Sequence, residues 1–310
     1  MALRRFDVIP LGTGAALPAR GRHPSAQLLN VHEALYLIDC GEGTQERLRE
    51  LGINFMRVGH VFISHMHGDH YLGLMGLLST MHLLGRKTPL HVHGPPALRE
   101  VVDVQLRASE TWLRFPVEHR ALTPANGILA WQDERVEVRL LALRHRIPCT
   151  GFVFREKPAP RPLRLDRLHL VPHFRRDAVK LGDDLVLADG STMPNAELTL
   201  EPPPVRSYAY CSDTAYETAL IPHLRGVDLL YHEATFTEQL AARAKETYHT
   251  TAAQAATLAR DAGVGRLLLG HFSSRYKTVE PLLAEARAIF PATLPAQEGV
   301  SYTPGANEQA

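Results

Sequence analysis

The chain has 310 residues, of which 45% are hydrophobic and 22% charged, with a formal net charge of +1. These values are typical of a soluble globular protein whose core needs no disulfide bonds, and they exclude a uniformly basic nucleic-acid-binding surface. Cys40, Cys149 and Cys211 form no C-x-x-C pair, which argues against a disulfide framework and a cysteine zinc finger. We interpret them as small buried thiols.

Targeting and membrane-spanning segments are not apparent. Arg4 and Arg5 are followed by Asp7 and Pro10, which leaves no apolar region of a secretory signal. The longest apolar segment, 72–84, contains several polar residues and is too short to cross a bilayer. We therefore expect a cytoplasmic protein with no membrane partner.

Short apolar strands alternate with helical segments. In the first half we predict strands over 6–11, 26–30, 36–38, 61–64 and 90–92, and helices over 43–51, 72–84 and 97–108. In the second half we predict strands over 136–143, 151–154, 208–212, 229–232 and 267–270, helices over 251–262 and 280–290, and a frayed tail over 294–310. This alternation indicates a layered α/β fold, but composition does not choose between two sheets covered by helices and one doubly wound sheet.

Residues 155–206 are rich in Pro, Arg and Asp. Between 155 and 180 there are eight basic and three acidic residues, a local net charge of +5. Such a patch attracts phosphate groups, although a solvated basic loop has the same composition. Because the segment has few apolar residues to bury, we interpret it as a basic, Pro-rich arm inserted into a single domain that spans 1–310.

The most specific pattern is a His-x-His-x-Asp-His string at 65–70, in a chain with 17 histidines. It follows directly on the apolar strand 61–64, and Gly68 allows the backbone to turn there. Imidazole nitrogens and carboxylate oxygens are ligands for zinc. An isolated H-x-H pair, such as the one at 91–93, is usually structural, and we assign that pair no ligand role.

This string resembles the signature of the metallo-β-lactamase superfamily, and further motif residues each end an apolar strand. The resemblance implies an αββα sandwich with two zinc ions per subunit. His65, His67 and His145 would hold one ion, Asp69, His70 and His271 would hold the other, and Asp213 would bridge them. Asp39 would orient a ligand histidine, although a structural role at its strand end stays open.

Three further motifs resemble those of the ribonuclease Z family. They are the HEAT sequence at 232–235, the His-Thr-Thr sequence at 249–251 and the glycine loop at 11–18. The resemblance implies a zinc-dependent endoribonuclease that removes the 3′ trailer of precursor tRNA. Hydrolysis after the discriminator nucleotide would leave a tRNA 3′-hydroxyl and a trailer with a 5′-phosphate. Implied catalytic residues are Asp69, Glu233 and His249, although His249 taken alone is typical of a helix start.

Family resemblance also implies a homodimer in which the arm of one subunit grips the tRNA of the other. No Gly-Pro pair occurs in the arm, and His23 stands where many relatives have Asn, so the arm contacts and CCA discrimination are not inferred. We expect no DNA partner. The alternatives are a metal-dependent phosphodiesterase acting on small or cyclic nucleotides, a thioester or lactone hydrolase, and a non-catalytic RNA-binding member of the superfamily.

Overall fold

The structure, a computed structural model, describes residues 4–306. Its strands are β1 Phe6–Gly12, β2 Ala26–Val31, β3 Ala34–Ile38, β4 Val58–Phe62, β5 Leu90–Gly94, β6 Val117–Ala121, β7 Leu129–Gln132, β8 Val136–Leu143, β9 Cys149–Glu156, β10 Leu185–Val186, β11 Thr192–Met193, β12 Ser207–Cys211, β13 Leu229–Glu233, β14 Arg266–Gly270 and β15 Thr293–Pro295. Its α-helices are α1 Thr44–Glu50, α2 Gly68–Tyr71, α3 Leu74–Leu83, α4 Pro96–Ala108, α5 Arg176–Lys180, α6 Asn195–Leu198, α7 Ile221–Leu224, α8 Ala241–Thr247, α9 Ala252–Ala262 and α10 Glu280–Arg287. None of the helices in this part of the chain combines the length and apolar character needed to span a lipid bilayer.

Two mixed sheets form the centre of the fold. The first has the strand order β1-β2-β3-β4-β5-β6, and the second has the order β15-β14-β13-β12-β9-β8-β7. One buried cluster, which includes Phe62 of β4 and Phe152 of β9, fills the space between the sheets. Helices α1, α3 and α4 cover the outer face of the first sheet, and α7, α9 and α10 cover that of the second. The predicted αββα sandwich is therefore confirmed, and a doubly wound sheet is excluded.

Helix α9 shows how local sequence sets this packing. Thr251 and Gln254 form a capping box at its start, a feature that stabilises a helix by about 1 kcal/mol. Gly263 ends the helix at a φ of 62°, as is usual for glycine at this position. The buried side is mostly alanine, and these small side chains let the helix lie close against the second sheet.

Parallel pairing brings distant segments of sequence to one edge of the sandwich. In the first sheet β3, β4 and β5 are parallel, and in the second β12, β13 and β14 are parallel. The carboxyl ends of parallel strands lie at the same edge. Asp39 and His271 directly follow β3 and β14, Asp213 is the second residue after β12, and all three have a positive φ, between 54° and 58°. This conformation is uncommon for residues other than glycine, and here it turns the chain sharply at the end of each strand.

Glu156–Val205 forms a compact unit separate from the rest of the chain. It contains the β10–β11 hairpin and buries a small apolar cluster of Val171, Val179, Leu185 and Leu198. The expectation that this segment has too few apolar residues for a core of its own is therefore wrong. Its apolar residues are sparse in sequence, but the hairpin and short helices bring them together.

The charge of this unit also differs from the expected basic arm. Over 156–205 there are seven Lys and Arg against eight Asp and Glu, and 181–201 contains five acidic residues and no basic one. Several of the basic side chains pair within the unit, as Arg161 does with Glu201 at 2.7 Å. The positive charge is thus confined to 155–180, and the unit as a whole is not basic.

The segment after residue 293 is ordered into the sandwich, which corrects the predicted frayed tail. Strand β15 pairs with β14 at the edge of the second sheet. The backbone of Tyr302 exchanges two hydrogen bonds with Val8, at 2.8 and 2.9 Å, and its side chain is buried. The apolar side chains of Leu294 and Tyr302 therefore tie down a segment that its composition suggests is loose. Residues 307–310 of the predicted tail lie outside the described residues.

A second group of histidines packs between the sheets, away from the His-rich string. The His60 ring lies 4.7 Å from His91 and 4.5 Å from Trp131, and the His93 ring stacks 4.3 Å from Phe62. Burial lowers the pKa of His60 to about 4 and that of His93 to about 3, and the neighbouring cations add to both effects. The H-x-H pair at 91–93 thus belongs to the packing between the sheets.

We expect this cluster to make the protein less stable in mild acid. An unfolded histidine has a pKa of about 6.5. Below that pH the unfolded chain binds protons that the folded chain does not bind, so the free energy of unfolding falls. Between pH 7.5 and 5.5 His93 accounts for a loss of ~1.4 kcal/mol. When the metal-free protein is unfolded with urea at both pH values, the decrease in its free energy of unfolding should be ~1.4 kcal/mol smaller for His93→Phe than for wild type. As a control, replacing the exposed His169 by Ala should not alter the pH dependence of the free energy of unfolding. Equal decreases in wild type and His93→Phe would contradict this explanation.

Candidate metal centre

The His-rich string occupies the loop between β4 and α2, with His65, His67, Asp69 and His70 directed into one cleft. The loop after β3 passes close beneath it. A Cβ at Gly41 would lie 2.5 Å from the carbonyl oxygen of Asp69, and a Cβ at Gly73 would lie 2.1 Å from the carbonyl oxygen of Gly41. Only glycine permits these backbone approaches, so the two glycines help to set the position of the ligand loop.

Four potential ligand atoms converge at one side of the cleft. His67 Nδ1 lies 3.0 Å from His65 Nε2 and 3.1 Å from His145 Nε2. Asp213 Oδ2 lies 3.7 Å from both His65 Nε2 and His145 Nε2. Burial is the main cause that lowers the pKa of His65, His67 and His145, which favours the neutral imidazole that binds a metal ion.

A second set of atoms lies on the other side of Asp213. Asp213 Oδ1 lies 3.2 Å from His70 Nε2 and 3.0 Å from His271 Nε2. Asp69 Oδ2 lies 3.4 Å from His70 Nε2 and 3.6 Å from His271 Nε2. The two oxygens of one carboxylate therefore face two different ligand sets, and this is the geometry of a bridging ligand.

The chemistry of these atoms fits cations. His70 Nε2 and His271 Nε2 are buried without a hydrogen-bond partner, which is costly unless another group satisfies them. Burial lowers the pKa of His70, but Asp213, Asp69 and Asp39 outweigh it and raise that pKa well above its usual value. Three carboxylates around one imidazole place an excess of negative charge there that divalent cations would neutralise.

Asp39 lies beneath this centre and is fully buried. Its Oδ2 lies 2.7 Å from His70 Nδ1 and accepts hydrogen bonds from the Tyr210 hydroxyl at 2.7 Å and the Ser64 hydroxyl at 2.9 Å. Its Oδ1 accepts the Ser64 backbone N–H at 2.7 Å. These contacts hold the Asp39 carboxylate in place, and it fixes which nitrogen of His70 faces the cleft.

Glu233 and His249 form a second buried pair beside the cleft. Glu233 Oε1 lies 2.9 Å from His249 Nδ1 and accepts the Thr214 N–H at 2.7 Å. Burial lowers the pKa of His249, but the Glu233 carboxylate outweighs it and raises that pKa to about 9. His249 is therefore protonated near neutral pH, with a proton available for a bound group. Geometry alone also allows His249 to be a ligand, because its ring, Asp213 and His271 bring ligand atoms within 4.8 Å of one another.

The cleft above the centre has a volume of about 450 Å³. Ala16 of the glycine loop donates its N–H to Asp69 Oδ2 at 2.9 Å, so this loop reaches the ligand set directly. Arg146, Arg243 and Arg275 also line the cleft. A site with basic walls and a cation-binding floor is suited to an anionic substrate such as a phosphodiester.

All the residues proposed from the sequence as ligands come together at this centre, with His65 and His70 buried beneath the cleft and Glu233 in contact with His249 beside it. His232 lies outside it, buried with Nδ1 2.8 Å from the Glu233 carbonyl oxygen. Sequence reasoning missed Thr235, whose hydroxyl donates to Glu233 Oε2 at 2.5 Å and lies 2.9 Å from His271 Nδ1. It also missed Ser64 and Tyr210. The only signal in the sequence was that Thr235 belongs to the HEAT motif and Ser64 adjoins His65.

Two family models match parts of this chain. The family model for a beta-lactamase superfamily domain matches residues 173–272, and the model for anti-Pycsar protein Apyc1 matches residues 6–109. Ribonuclease Z of Bacteroides fragilis is 44% identical over 300 residues, which cover 96% of this chain and 99% of that protein. Ribonuclease Z of Cytophaga hutchinsonii is 45% identical over 299 residues, or 96% of each chain. Among solved structures, the short form of human tRNase Z has a TM-score of 0.72 and 28% identity, covering 97% of this chain and all of that one.

Proposed function

The chain belongs to the ribonuclease Z family, and from this premise we infer that it is a metal-dependent endoribonuclease that removes the 3′ trailer from precursor tRNA. One observation supports the chemistry most directly. The two oxygens of Asp213 face two separate sets of histidine and aspartate atoms, as a pair of adjacent cations requires. Two metal ions close together suit the hydrolysis of a phosphodiester.

We propose that two zinc ions occupy these sets, because neutral imidazole and carboxylate are ligands that zinc commonly takes. His65, His67 and His145 would hold one ion, Asp69, His70 and His271 the other, and Asp213 would bind both. Bound zinc supplies Lewis acidity, which activates water and neutralises charge on the phosphate. The protein keeps the ligands in place through Asp39, which orients His70, and through Thr235, which contacts His271.

His249 is proposed as the group that gives a proton to the leaving oxygen. Its pKa of about 9, which results from Glu233 in spite of burial, keeps it protonated at neutral pH. A positioned acid of this kind contributes about 10²- to 10⁴-fold to rate. Glu233 would hold the ring in place and maintain its charge, and Asp69 would help to hold the proton of the attacking water. The departing oxygen would remain on the tRNA as its 3′-hydroxyl, and the phosphate would remain on the trailer.

The direct test gives zinc-loaded protein a 3′-extended precursor tRNA without CCA, alongside the small ester bis(p-nitrophenyl) phosphate. We expect a single cut after the discriminator that leaves a 3′-hydroxyl.

Asp213→Ala should lose turnover and bind less than two zinc ions per chain, measured by elemental analysis, because it removes the shared ligand. Asp103→Ala, on the exposed face of α4, is the matched control and should behave as wild type. Full activity of Asp213→Ala would refute the two-metal proposal, and hydrolysis of the small ester alone would indicate a small-substrate phosphodiesterase.

His249→Ala should lower kcat by about 10²- to 10⁴-fold while the zinc content stays at that of wild type. Loss of zinc would instead make His249 a metal ligand.

Glu233→Gln keeps the His249 ring in place but removes the charge that raises the pKa of His249. In this variant the fall of kcat on the alkaline side should move to lower pH, because His249 loses its proton sooner. An unshifted profile, measured in single-turnover assays, would argue against His249 as the acid.

We propose that the inserted unit binds the body of the tRNA through its basic first half, and that the enzyme acts as a cytoplasmic homodimer. Replacing residues 158–203 by a short Gly-Ser linker is feasible because Arg155 and Ser207 are paired neighbours on β9 and β12. This deletion should reduce kcat/KM for precursor tRNA by at least about tenfold, as expected when several phosphate contacts are lost, and reduce small-ester hydrolysis far less. Equal losses on both substrates would make the unit structural.

A matched pair of variants separates charge from structure in this unit. Arg175→Ala with Arg176→Ala should weaken tRNA binding and reduce its salt dependence, whereas replacing the exposed Glu197 of the acidic half by Ala should not. Sedimentation of the intact protein tests the dimer, since a monomer at working concentration would exclude it. Fractionation of the source cells tests the cytoplasmic location.

A further inference from the structure

A second cleft, of about 500 Å³, lies on the opposite face of α8 from the metal centre. His249 lines both clefts and forms the ridge between them. Arg243 and Thr247 of α8 face the metal centre, whereas Lys245 faces the second cleft together with Tyr248, which follows the helix. Neither the proposed metal ligands nor the Glu233 carboxylate lines this second cleft, so the proposed chemistry leaves it without a role.

The lining of this cleft combines two cations with two aromatic rings. Arg144 and Lys245 are exposed, and among residues 4–306 neither is within ion-pair distance of a carboxylate. Tyr216 and Tyr248 also line it, and both residues are at least partly exposed. Unpaired cations beside aromatic faces match a nucleotide, because cations contact phosphate and aromatic rings stack on the base.

Tyr248 ties this cleft to the metal centre. It ends α8 with a φ of 58°, a conformation that is costly for a bulky residue. Its carbonyl oxygen lies 3.1 Å from His145 Nδ1, on the ring that offers Nε2 to the metal set. The same strained residue therefore contacts a proposed metal ligand through its backbone and presents its ring to the second cleft.

The direction of the cut decides which nucleotide this cleft can take. In the proposed reaction the P–O bond that breaks leaves its oxygen on the discriminator ribose, and the proton from His249 goes to that oxygen. The discriminator nucleoside must therefore lie on the His249 side of the scissile phosphate. We propose that the second cleft binds the discriminator nucleotide, with its base against Tyr216 and Tyr248 and its 5′-phosphate near Arg144 and Lys245. This inference rests on the proposed function and adds a subsite to it.

Single-turnover cleavage of 3′-extended precursor tRNA by the zinc-loaded protein tests the proposal. Tyr216→Ala and Tyr248→Ala should each lower kcat/KM for the tRNA by roughly tenfold to a hundredfold, the range found when one stacked base loses its aromatic partner. Both should lower it less for bis(p-nitrophenyl) phosphate, which has no discriminator. Tyr248→Phe keeps the ring and should restore cleavage. Trp112→Ala, which removes an exposed aromatic ring far along the chain from this cleft, is the matched control and should not change either substrate.

A substrate with an abasic discriminator identifies the nucleotide. Wild type should cleave it at least as slowly as Tyr216→Ala cleaves the intact substrate, because the missing base removes the contacts of both tyrosines. Tyr216→Ala should be no slower than wild type on this substrate, because no base is left to stack on Tyr216. An abasic site at the first trailer nucleotide should instead slow cleavage by the same factor in wild type and in Tyr216→Ala, so that the two effects are additive in free energy. The reverse pattern, or additive losses at the discriminator, would overturn the assignment.

Two controls keep the outcomes distinct. If Tyr248→Ala also loses zinc, its backbone contact to His145 is the cause, and Tyr216→Ala alone decides the proposal. Wild type that hydrolyses the small ester but leaves precursor tRNA intact would refute the proposed function itself. Wild type that cuts the tRNA while Tyr216→Ala cuts it equally well would refute only the discriminator subsite.

Discussion

The structure depends on one buried carboxylate that is shared between two groups of ligands. Asp213 is almost fully buried and places one oxygen against His70 and His271 and the other against His65 and His145. Burial disfavours its charged form, but the surrounding histidines lower its pKa well below the usual value. So much polar surface in the interior is stable only when every atom has a partner. Bound cations would give these atoms partners, and the surrounding packing holds the candidate ligands at fixed positions.

That requirement explains where the chain is strained. Asp39, Asp213 and His271 each follow a buried strand with a left-handed backbone. Each such residue costs of order 1–3 kcal/mol, which the two packed sheets and their helices offset. The strain lets strands from both sheets place Asp213 and His271 at the cleft and Asp39 beneath it, within two residues of leaving the sheet. A flexible loop could reach the same place, but it would not hold Asp213 Oδ1 3.0 Å from His271 Nε2.

Sequence alone predicted the layers, and the residues it proposes as ligands come together in the structure, because both follow local rules. Apolar strands such as 208–212 have a strong pattern, and the string at 65–70 is too specific to arise by chance. The features that the sequence did not predict depend on contacts between residues that are distant in the chain. Strands β6 and β7 are mostly exposed edge strands with mixed composition, and the tail is held by Tyr302 across the sandwich. Thr235, Ser64 and Tyr210 gain their importance only through hydrogen bonds that no spacing reveals.

The charges also place recognition nearer to the metal centre than composition suggested. The inserted unit carries seven basic and eight acidic residues, and pairs such as Arg161 with Glu201 satisfy part of its positive charge internally. By contrast, Arg146 and Arg275 line the metal cleft, and Arg144 and Lys245 line the second one. Phosphate contacts position a nucleic acid without reading its sequence. Cations on both sides of His249 would therefore align a nucleic-acid strand across the site.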